Sequence, residues 1–453
     1  MNRKEIERLH ETTLRILERV GVRLEHDGIV ARLLRAGAQK GQGPHDLKLP
    51  RKLVAEYLAQ VPRSVKLASR DGQTAVVTPD SPSIFWTTPS MYVFDGRERR
   101  EAASRDLAAV ARLSDHLESV HGVMGMSLKD VPPRHRDFVG LRVIAENCRR
   151  HARALVFTPE GAEALAEMKQ VFPGNWLSLG FTAHGPLRWT NLALSVFEKS
   201  AGHGIPVSVN GEPVIGASAP VTLAGSLAVG NAEILAGIVV NQILEPGRMV
   251  IYNLGLPRVF DMRHATAATA APEVALCARA SAELGRFYGI PSCSWASTES
   301  CFEDEQAALE KMFALHTHSY NRASVVWGLG QLEASMTMSL AQMVIDDEMV
   351  AFCRRYERDF AVNEQTLALD LIKEVGIGGS YLETAHTLER FRENLWDPQI
   401  LNRKARENCA EPLDAAARRR AGELLAADTE EKIGAAELAE LKKIEEVYCK
   451  KLG

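Results

Sequence analysis

Residues 177–210 read LSLGFTAHGPLRWTNLALSVFEKSAGHGIPVSVN. The stretch contains a short apolar run, Leu177–Thr182, a longer segment with helical spacing, and a second apolar run, Pro206–Asn210. A small or polar loop follows each apolar run, beginning with Ala183 after the first and Gly211 after the second. A strand, a helix and a second strand in this order are typical of parallel strands joined by crossover helices.

The same unit recurs on both sides of this stretch. The apolar runs that alternate with helical segments are Ile84–Thr88, Ser119–Met126, Ala154–Thr158, Leu177–Thr182, Pro206–Asn210, Met249–Asn253, Pro291–Ala296 and Ser324–Leu329. Eight such runs, spread over a length close to the roughly 250 residues of a typical (β/α)8 barrel, predict that fold. The sequence therefore predicts an α/β protein built on a TIM barrel.

Helical patterns flank the predicted barrel on both sides. Periodic apolar residues predict helices from Asn2 to Val20, from Asp27 to Arg35 and from Pro50 to Gln60. After Leu329 the remaining patterns are also helical. We expect three parts: a helical cap with a short connecting segment (1–80), the barrel (81–340) and a C-terminal helical extension (341–453).

The composition excludes several classes of partner. The chain has 453 residues, of which 46% are hydrophobic, and its 54 Lys and Arg residues nearly balance 58 Asp and Glu residues. With a net charge of −4, the chain has no excess of positive charge that would attract nucleic acid or an anionic membrane, so we expect neither partner. The uncharged stretch Pro213–Ala232 is interrupted by glycines and is not predicted to span a membrane. Seven cysteines without a CxxC pair predict reduced thiols and a cytoplasmic location.

Catalytic groups of a (β/α)8 barrel lie at the C-terminal ends of its strands. The residues at the predicted strand ends of this chain do not fit several common reaction types. None of the eight runs contains a lysine, which disfavours a Schiff-base mechanism. Cys293 and Cys301 offer a zinc-binding alternative, although buried, inert cysteine is the ordinary explanation for both. We expect no tightly bound metal in the leading interpretation.

Aromatic residues and a few carboxylates lie in or after the predicted strands. Barrel interiors usually contain Val, Ile and Leu, so aromatic rings near the mouth predict a pocket for a cationic ligand such as a quaternary ammonium. The predicted substrate-binding residues are Trp86, Phe181, His184, Tyr252, Trp295 and Trp327, and the predicted catalytic residues are Glu212, Glu299 and Glu333. Alternatively, each ring packs outward against the helices. Each carboxylate could equally cap a helix or pair with an arginine. A substrate carboxylate would need a basic partner, for which the candidates are His184, Arg188 and Arg258.

One long stretch carries a family resemblance. Glu212-Pro-Val-Ile-Gly-Ala-Ser-Ala-Pro-Val-Thr-Leu-Ala-Gly-Ser-Leu and the following Gly230-Asn-Ala-Glu-Ile-Leu-Ala-Gly are the most specific part. Shorter matches include Leu17-Glu-Arg-Val-Gly-Val, Met343-Val-Ile-Asp-Asp-Glu and His386-Thr-Leu-Glu-Arg-Phe. Together these phrases resemble the trimethylamine:corrinoid methyltransferase superfamily over nearly the whole chain.

The resemblance implies a methyltransferase that passes a methyl group from an amine to the Co(I) of a separate corrinoid (cobalamin) protein. Founding members of that superfamily carry pyrrolysine in the region that resembles Gly330–Met338, where this chain has only standard residues. It is therefore similar to the non-pyrrolysine branch, whose substrates include glycine betaine and related quaternary amines.

Two other functions remain open at this stage. One is a zinc-assisted corrinoid methyltransferase that acts on an O- or S-methyl compound. The other is a non-catalytic barrel that binds a betaine or serves as a scaffold for a corrinoid protein. In each case we expect a homo-oligomer.

Overall fold

The computed structural model describes residues 1–409 and 411–453, and its centre is a closed barrel of eight parallel strands. We number these strands β1 to β8 in chain order. Each strand pairs with the next, and β8 pairs with β1 to close the barrel. The strands are Ile84–Thr87, Val120–Met124, His151–Arg153, Leu177–Thr182, Val207–Asn210, Val250–Gly255, Ser292–Trp295 and Val325–Leu329. The predicted (β/α)8 barrel is confirmed.

The third strand lies closer to the N-terminus than predicted. The apolar run Ala154–Thr158 predicts this strand, but β3 spans His151–Arg153. Both terminal residues of β3 are polar and buried, and His151 Nε2 lies 2.8 Å from Ser178 Oγ of β4. Because these polar groups find partners inside the barrel, the strand has no apolar signature. A search for apolar runs therefore selects the loop that follows it.

Side chains alternate between the barrel interior and the surrounding helices, as the period of a strand requires. In β7, Cys293 and Trp295 belong to the interior cluster of apolar residues. Ser294, between them, points outward and its Oγ lies 3.0 Å from Nδ1 of His318. This alternation decides which of the predicted aromatic residues face the interior.

The N-terminal part combines helices with small sheets. Its helices are α1 (Arg3–Arg15), which continues as a π-helical turn over Ile16–Val20, α2 (Asp27–Arg35) and α3 (Arg51–Leu58). Its strands are Val22–Leu24, Gln39–Lys40 and Asp46–Lys48, which form a sheet with Arg188–Trp189.

A hairpin closes the N-terminal end of the barrel. It consists of strands Val65–Ala68 and Thr74–Val77. The amide of Ala68 donates to the carbonyl of Asn175, which lies just before β4. Leu67 packs into the interior cluster from this end. The C-terminal ends of the strands, where (β/α)8 enzymes carry their active sites, lie at the opposite end of the barrel.

A helix follows each barrel strand. These helices, α4 to α11, are Ser104–His116, Arg136–Asn147, Pro159–Lys169, Asn191–Ser200, Leu223–Leu244, Pro272–Tyr288, Glu305–Tyr320 and Leu340–Glu357. The predicted boundary at residue 341 assigned the last of them to the C-terminal extension. It follows β8, packs against α10 and is the eighth helix of the barrel, so the extension begins after Glu357.

Helix α8 has the length and composition of a membrane span but lies in the protein interior. Its most apolar window has a mean hydropathy of 1.7, and 78% of that window is buried. The helix packs against α1, α3 and the neighbouring barrel strands. Its apolar surface is accounted for by these contacts.

The C-terminal extension has an exposed part and a packed part. The exposed part, residues 359–395, contains α12 (Glu364–Leu367), α13 (Leu369–Val375) and α14 (Ala385–Asn394), and none of these helices has a buried residue. We call residues 359–395 the arm. The packed part contains α15 (Leu413–Ala427), which lies on α11 and α4, and α16 (Ala435–Leu452), which lies on α5 and α6.

Candidate active site

A polar cluster lies at the rim of the barrel, where β4, β5 and β6 end. Glu212 lies two residues after the end of β5, and its carboxylate accepts hydrogen bonds from Thr182 Oγ1 and from Arg258 Nη2, each at 3.4 Å. Asn210 donates to Thr182 at 3.1 Å, and Asn253 donates to Asn210 at 2.9 Å. The three strand ends therefore hold Glu212 in a chain of hydrogen bonds.

Burial controls the charge of Glu212. Its side chain is 24% exposed, and removal from water raises the pKa of its carboxyl above the usual value. Arg258, Thr182 and His184 oppose this shift, since each favours the charged form. His184 itself is exposed at the rim. The arrangement places a carboxyl group beside a guanidinium at the entrance to the barrel.

Two of the predicted tryptophans lie side by side inside the mouth. Trp295 of β7 and Trp327 of β8 are in register and belong to the interior cluster, each 5% exposed. The Arg258 guanidinium carbon lies 5.6 Å from the Trp295 ring, and that of Arg153 lies 5.8 Å from the Trp327 ring. Both rings thus border charged groups, in the geometry of cation–π contacts.

Trp86 also points into the barrel but lies beneath this level. Its ring is fully buried and stacks on His151, with centroids 5.6 Å apart and an interplanar angle of 24°. Burial lowers the pKa of His151 to about 4, so this imidazole is neutral near pH 7. Trp86 and His151 therefore form the lower wall of the interior.

Phe181 and Tyr252 do not face the interior, and the structure corrects their predicted place. The Phe181 ring packs against Phe197 of α7, with centroids 3.9 Å apart. The Tyr252 hydroxyl donates to Asn231 Oδ1 of α8 at 2.8 Å. Both residues occupy outward positions in the strand alternation, so their rings lie between barrel and helices.

Glu299 is tied to the loop that precedes α9. Its Oε1 accepts hydrogen bonds from Thr269 Oγ1 at 2.7 Å and from the amide of Ala270 at 3.1 Å. Thr269 Oγ1 also lies 2.6 Å from Ser297 Oγ, which accepts from Gln331 Nε2. Glu299 thus anchors a network that runs across the loops after β7 and β8.

Glu333 lies at the tip of a turn after β8 and pairs with Arg99. Its oxygens lie 2.6 and 3.0 Å from Arg99 nitrogens, and Thr337 Oγ1 donates to it at 2.6 Å. Glu333, Ala334 and Ser335 have φ values of 52°, 49° and 78°, the left-handed region that is costly for residues other than glycine. The ion pair and the hydrogen bond hold this strained turn. Glu333 therefore has different partners from Glu212, which contacts Thr182 and Arg258.

Two charged groups at the mouth were missed by the sequence analysis. Arg153 ends β3 and lies inside the barrel, 4% exposed. Glu233 of α8 is buried, and burial raises its pKa to about 7, while the Leu187 amide donates to its Oε1 at 2.8 Å. Arg153 lies just before the predicted strand Ala154–Thr158, and Glu233 lies within an apolar helix, so neither residue gives a local signal of burial. The family-like phrase at residues 230–237 includes Glu233, and it is the only sequence signal that pointed to either residue.

The proposed zinc ligands are not assembled. Cys293 is buried in the interior cluster, and burial raises the pKa of its thiol well above the usual value, whereas Cys301 is exposed. Among residues 1–409 and 411–453, no three His, Cys, Asp or Glu side chains are grouped to hold a metal ion. The donor set required by the zinc-assisted alternative is therefore missing from the part of the chain that the structure describes.

A closed (β/α)8 barrel with its polar groups at the strand ends has the architecture of an enzyme. Among solved structures, the monomethylamine methyltransferase MtmB of Methanosarcina barkeri matches with a TM-score of 0.54. The match covers 92% of this chain and 87% of that chain at 13% identity, a likeness of fold alone.

Sequence comparison identifies the family. The family model described as trimethylamine methyltransferase (MTTB) matches residues 1–446, so the chain belongs to that family and is a methyltransferase. Glycine betaine methyltransferase of Desulfitobacterium hafniense (strain Y51) is 28% identical over 426 residues, which cover 90% of this chain and 87% of that protein. Trimethylamine methyltransferase MttB of Methanosarcina barkeri (strain Fusaro / DSM 804) is 28% identical over 422 residues, covering 88% and 84%.

Proposed function

We propose that this protein transfers a methyl group from a quaternary amine, such as glycine betaine, to the Co(I) of a corrinoid that a separate protein carries. The observation that carries the proposal is the pair Trp295 and Trp327, side by side within the mouth of the barrel. The faces of indole rings attract quaternary ammonium groups. Glu212, which pairs with Arg258, adds a carboxyl group at the rim of the same mouth.

The proposed reaction requires no nucleophilic side chain. The methyl carbon forms its bond to cobalt while its bond to nitrogen breaks, and the electron pair of the broken bond stays on nitrogen. The leaving group is a neutral tertiary amine, which needs no proton donor. Because the positive charge on nitrogen disappears during this step, a water-poor pocket favours the transfer. The nearly buried rings of Trp295 and Trp327 provide such surroundings.

The rim of the barrel fits an encounter with a separate corrinoid protein. Glu212 and Arg258 keep 24% and 37% of their side-chain surface exposed, and His184 is exposed. A small methyl donor held between the two tryptophans is therefore close to a surface on which a partner can dock. The corrinoid would belong to that partner, and the proposal assigns this chain no metal of its own.

Standard residues at Gly330–Met338 support a quaternary substrate. In this chain the segment forms two short strands, Gln331–Leu332 and Thr337–Met338, around the strained turn at Glu333. None of these residues supplies the electrophile of the pyrrolysine-containing branch. A quaternary amine carries a permanent positive charge and does not need such activation.

The test mixes the enzyme with Co(I) cobalamin and one amine and follows the loss of the Co(I) absorbance. We expect methyl transfer from glycine betaine and little or none from trimethylamine, since a tertiary amine must be protonated or otherwise activated before its methyl group becomes transferable. A faster reaction with trimethylamine than with every betaine tried would contradict the proposal. Reaction of a methyl ether or thioether, with no amine active, would favour the zinc-assisted alternative. Betaine binding without methyl transfer would favour a non-catalytic barrel.

We also propose that the protein is a homo-oligomer in which the arm binds a second copy. Phe360, Leu382 and Leu388 of the arm are 84%, 81% and 75% exposed. An exposed apolar set of this kind is typical of a protein–protein interface. A groove of about 510 Å³ between α10 and α11, lined by apolar side chains such as Phe313, offers a matching surface.

The seven cysteines, all unpaired thiols in the structure, support a cytoplasmic location.

A further inference from the structure

Arg153 lies at the deepest charged position above the floor of the barrel. His151, the preceding inward residue of β3, forms that floor together with Trp86. The guanidinium of Arg153 lies against the backbone of Gly180 in β4. A Cβ atom at Gly180 would come within 1.8 Å of Arg153 Nη2 and 2.4 Å of Ser208 Oγ. Glycine at this position therefore provides the space that the guanidinium occupies.

The guanidinium has no carboxylate partner among the described residues. Its Nη1 donates to the carbonyl of Ala154, and its Nε has no hydrogen-bond partner. Burial lowers the pKa of Arg153 to about 10, and the thiol of Cys293 acts on this pKa in the opposite direction. Burial raises the pKa of that thiol well above its usual value, so it is neutral and provides no counterion. A buried cation without a counterion is costly to the folded protein.

Arg248, the other arginine with almost no exposed surface in the barrel region, has a counterion and more hydrogen-bond partners, although its Nη1 also lacks one. It is 2% exposed, pairs with Glu245 at 3.3 Å, and donates to the Ile205 carbonyl at 2.8 Å and to Ser200 Oγ at 3.1 Å. Arg248 therefore has the carboxylate counterion that Arg153 lacks. Arg153 lacks such partners on the side that faces the mouth.

Other hydrogen-bond donors around Arg153 also lack an oxygen acceptor. Ser208 Oγ is buried and has no partner in the described part of the chain, and the buried indole N–H of Trp327 has only the thiol of Cys293, a weak acceptor, beside it. Both border the guanidinium, Ser208 at the Gly180 position and Trp327 through its ring at 5.8 Å. Unpaired N–H and O–H donors around one cation require an acceptor with several lone pairs and a negative charge. A carboxylate satisfies both requirements and matches the fork of a guanidinium.

We propose that Arg153 binds the carboxylate of the substrate and thereby selects a betaine, a quaternary amine that also carries a carboxylate. This inference rests on the proposed function and names the substrate class of the same site. A betaine bound in this way directs its ammonium away from the guanidinium, since like charges repel, and toward Glu212 at the rim. Its methyl groups then lie on the side of the mouth from which the partner approaches.

The rim arginines are less suited to this role. Arg258 already pairs with Glu212 at 3.4 Å. Arg188 is 46% exposed, donates to the His184 carbonyl at 3.3 Å and lies 3.8 Å from Glu25. An exposed guanidinium binds a carboxylate weakly, because water competes for both groups. Arg153 has neither a competing carboxylate nor free access to water.

The test compares two ligands with the same cationic group, glycine betaine and tetramethylammonium, by isothermal titration calorimetry without any corrinoid. We expect the wild-type protein to bind glycine betaine more tightly. Arg153→Gln should weaken glycine betaine binding by at least about tenfold, or 1.4 kcal/mol, and change tetramethylammonium binding by less than about threefold. Arg188→Gln is the matched control and should change neither affinity.

Three binding results would overturn the inference: equal loss of both ligands in Arg153→Gln, unchanged betaine binding in that variant, or wild-type preference for tetramethylammonium. If Arg153→Gln does not fold, Arg153→Lys keeps the positive charge without the planar fork. It should also weaken glycine betaine binding selectively, but by a smaller factor. The proposed function fails separately, when betaine binds through Arg153 but no methyl reaches Co(I). Transfer from tetramethylammonium as fast as from glycine betaine would instead leave the methyltransferase intact and remove the role of Arg153.

Discussion

Lys311 Nζ lies 2.8 Å from Asp346 Oδ2, and neither side chain has any exposed surface. This pair joins α10 to α11 behind the loop that follows β8. Lys311 donates to the carbonyls of Gly328 and Gln331 at 2.6 and 3.1 Å, and the amide of Gly330 donates to Asp346 at 2.7 Å. The loop that carries Gln331 and the strained turn is therefore held by a buried ion pair.

Loss of one partner of this pair should destabilise the fold strongly. We expect Lys311→Met to lower the free energy of unfolding by about 3–5 kcal/mol, because it leaves Asp346 buried without a counterion. Chemical denaturation measures the change. Arg99→Met, which breaks the partly exposed pair with Glu333, is the control and should cost no more than about 1 kcal/mol. Similar losses in the two variants would show that the buried pair has no special role.

The two interior tryptophans should contribute directly to ammonium binding. We expect Trp295→Leu or Trp327→Leu to weaken tetramethylammonium binding by about 0.5–2 kcal/mol, the range for a cation over an aromatic ring. Phe181→Leu is the matched control, since that ring lies against Phe197 outside the barrel. Calorimetric titration of the three variants checks this. A larger effect from Phe181→Leu than from either tryptophan would contradict the assignment.

Glu233 should make stability depend on pH. Burial raises its pKa from 4.5 to about 7 in the folded protein, so the folded state holds a proton that the unfolded state has lost between these values. Its contribution to stability is fully present below pH 4.5 and is lost as the pH rises through about 7. The expected slope is about 1.4 kcal/mol per pH unit within that window. Glu233→Gln should remove this slope, measured as the difference between wild-type and variant unfolding free energies; parallel curves would refute it.

The arm should control the oligomeric state. We expect the double variant Leu382→Asp and Leu388→Asp to reduce the mass of the particle in solution, because charges replace apolar side chains at the proposed contact. Light scattering coupled to gel filtration measures this mass. Leu192→Asp, at another half-exposed leucine on α7, serves as the control. A wild-type protein that is monomeric at micromolar concentration would contradict the proposal.

The pattern of short apolar runs was sufficient to predict the barrel, since eight alternating units of the right length permit few other architectures. The family-like phrase after Glu212 was sufficient to predict a methyltransferase. Both signals are local, because strand and helix periods and short motifs are properties of neighbouring residues. The position of β3 was wrong for the same reason, because its polar residues are satisfied only by distant partners such as Ser178.

The side of each strand that faces inward is decided only by the tertiary structure. Phe181 and Trp295 both belong to correctly predicted strands, but a shift of one residue reverses the face on which a ring lies. Arg153 is the clearest case. Its sequence neighbours carry no sign of a binding site, and its lack of a counterion appears only when β4, β5 and β8 close around it. Which charges remain unpaired depends on contacts between residues far apart in the chain, and those contacts exist only in the folded barrel.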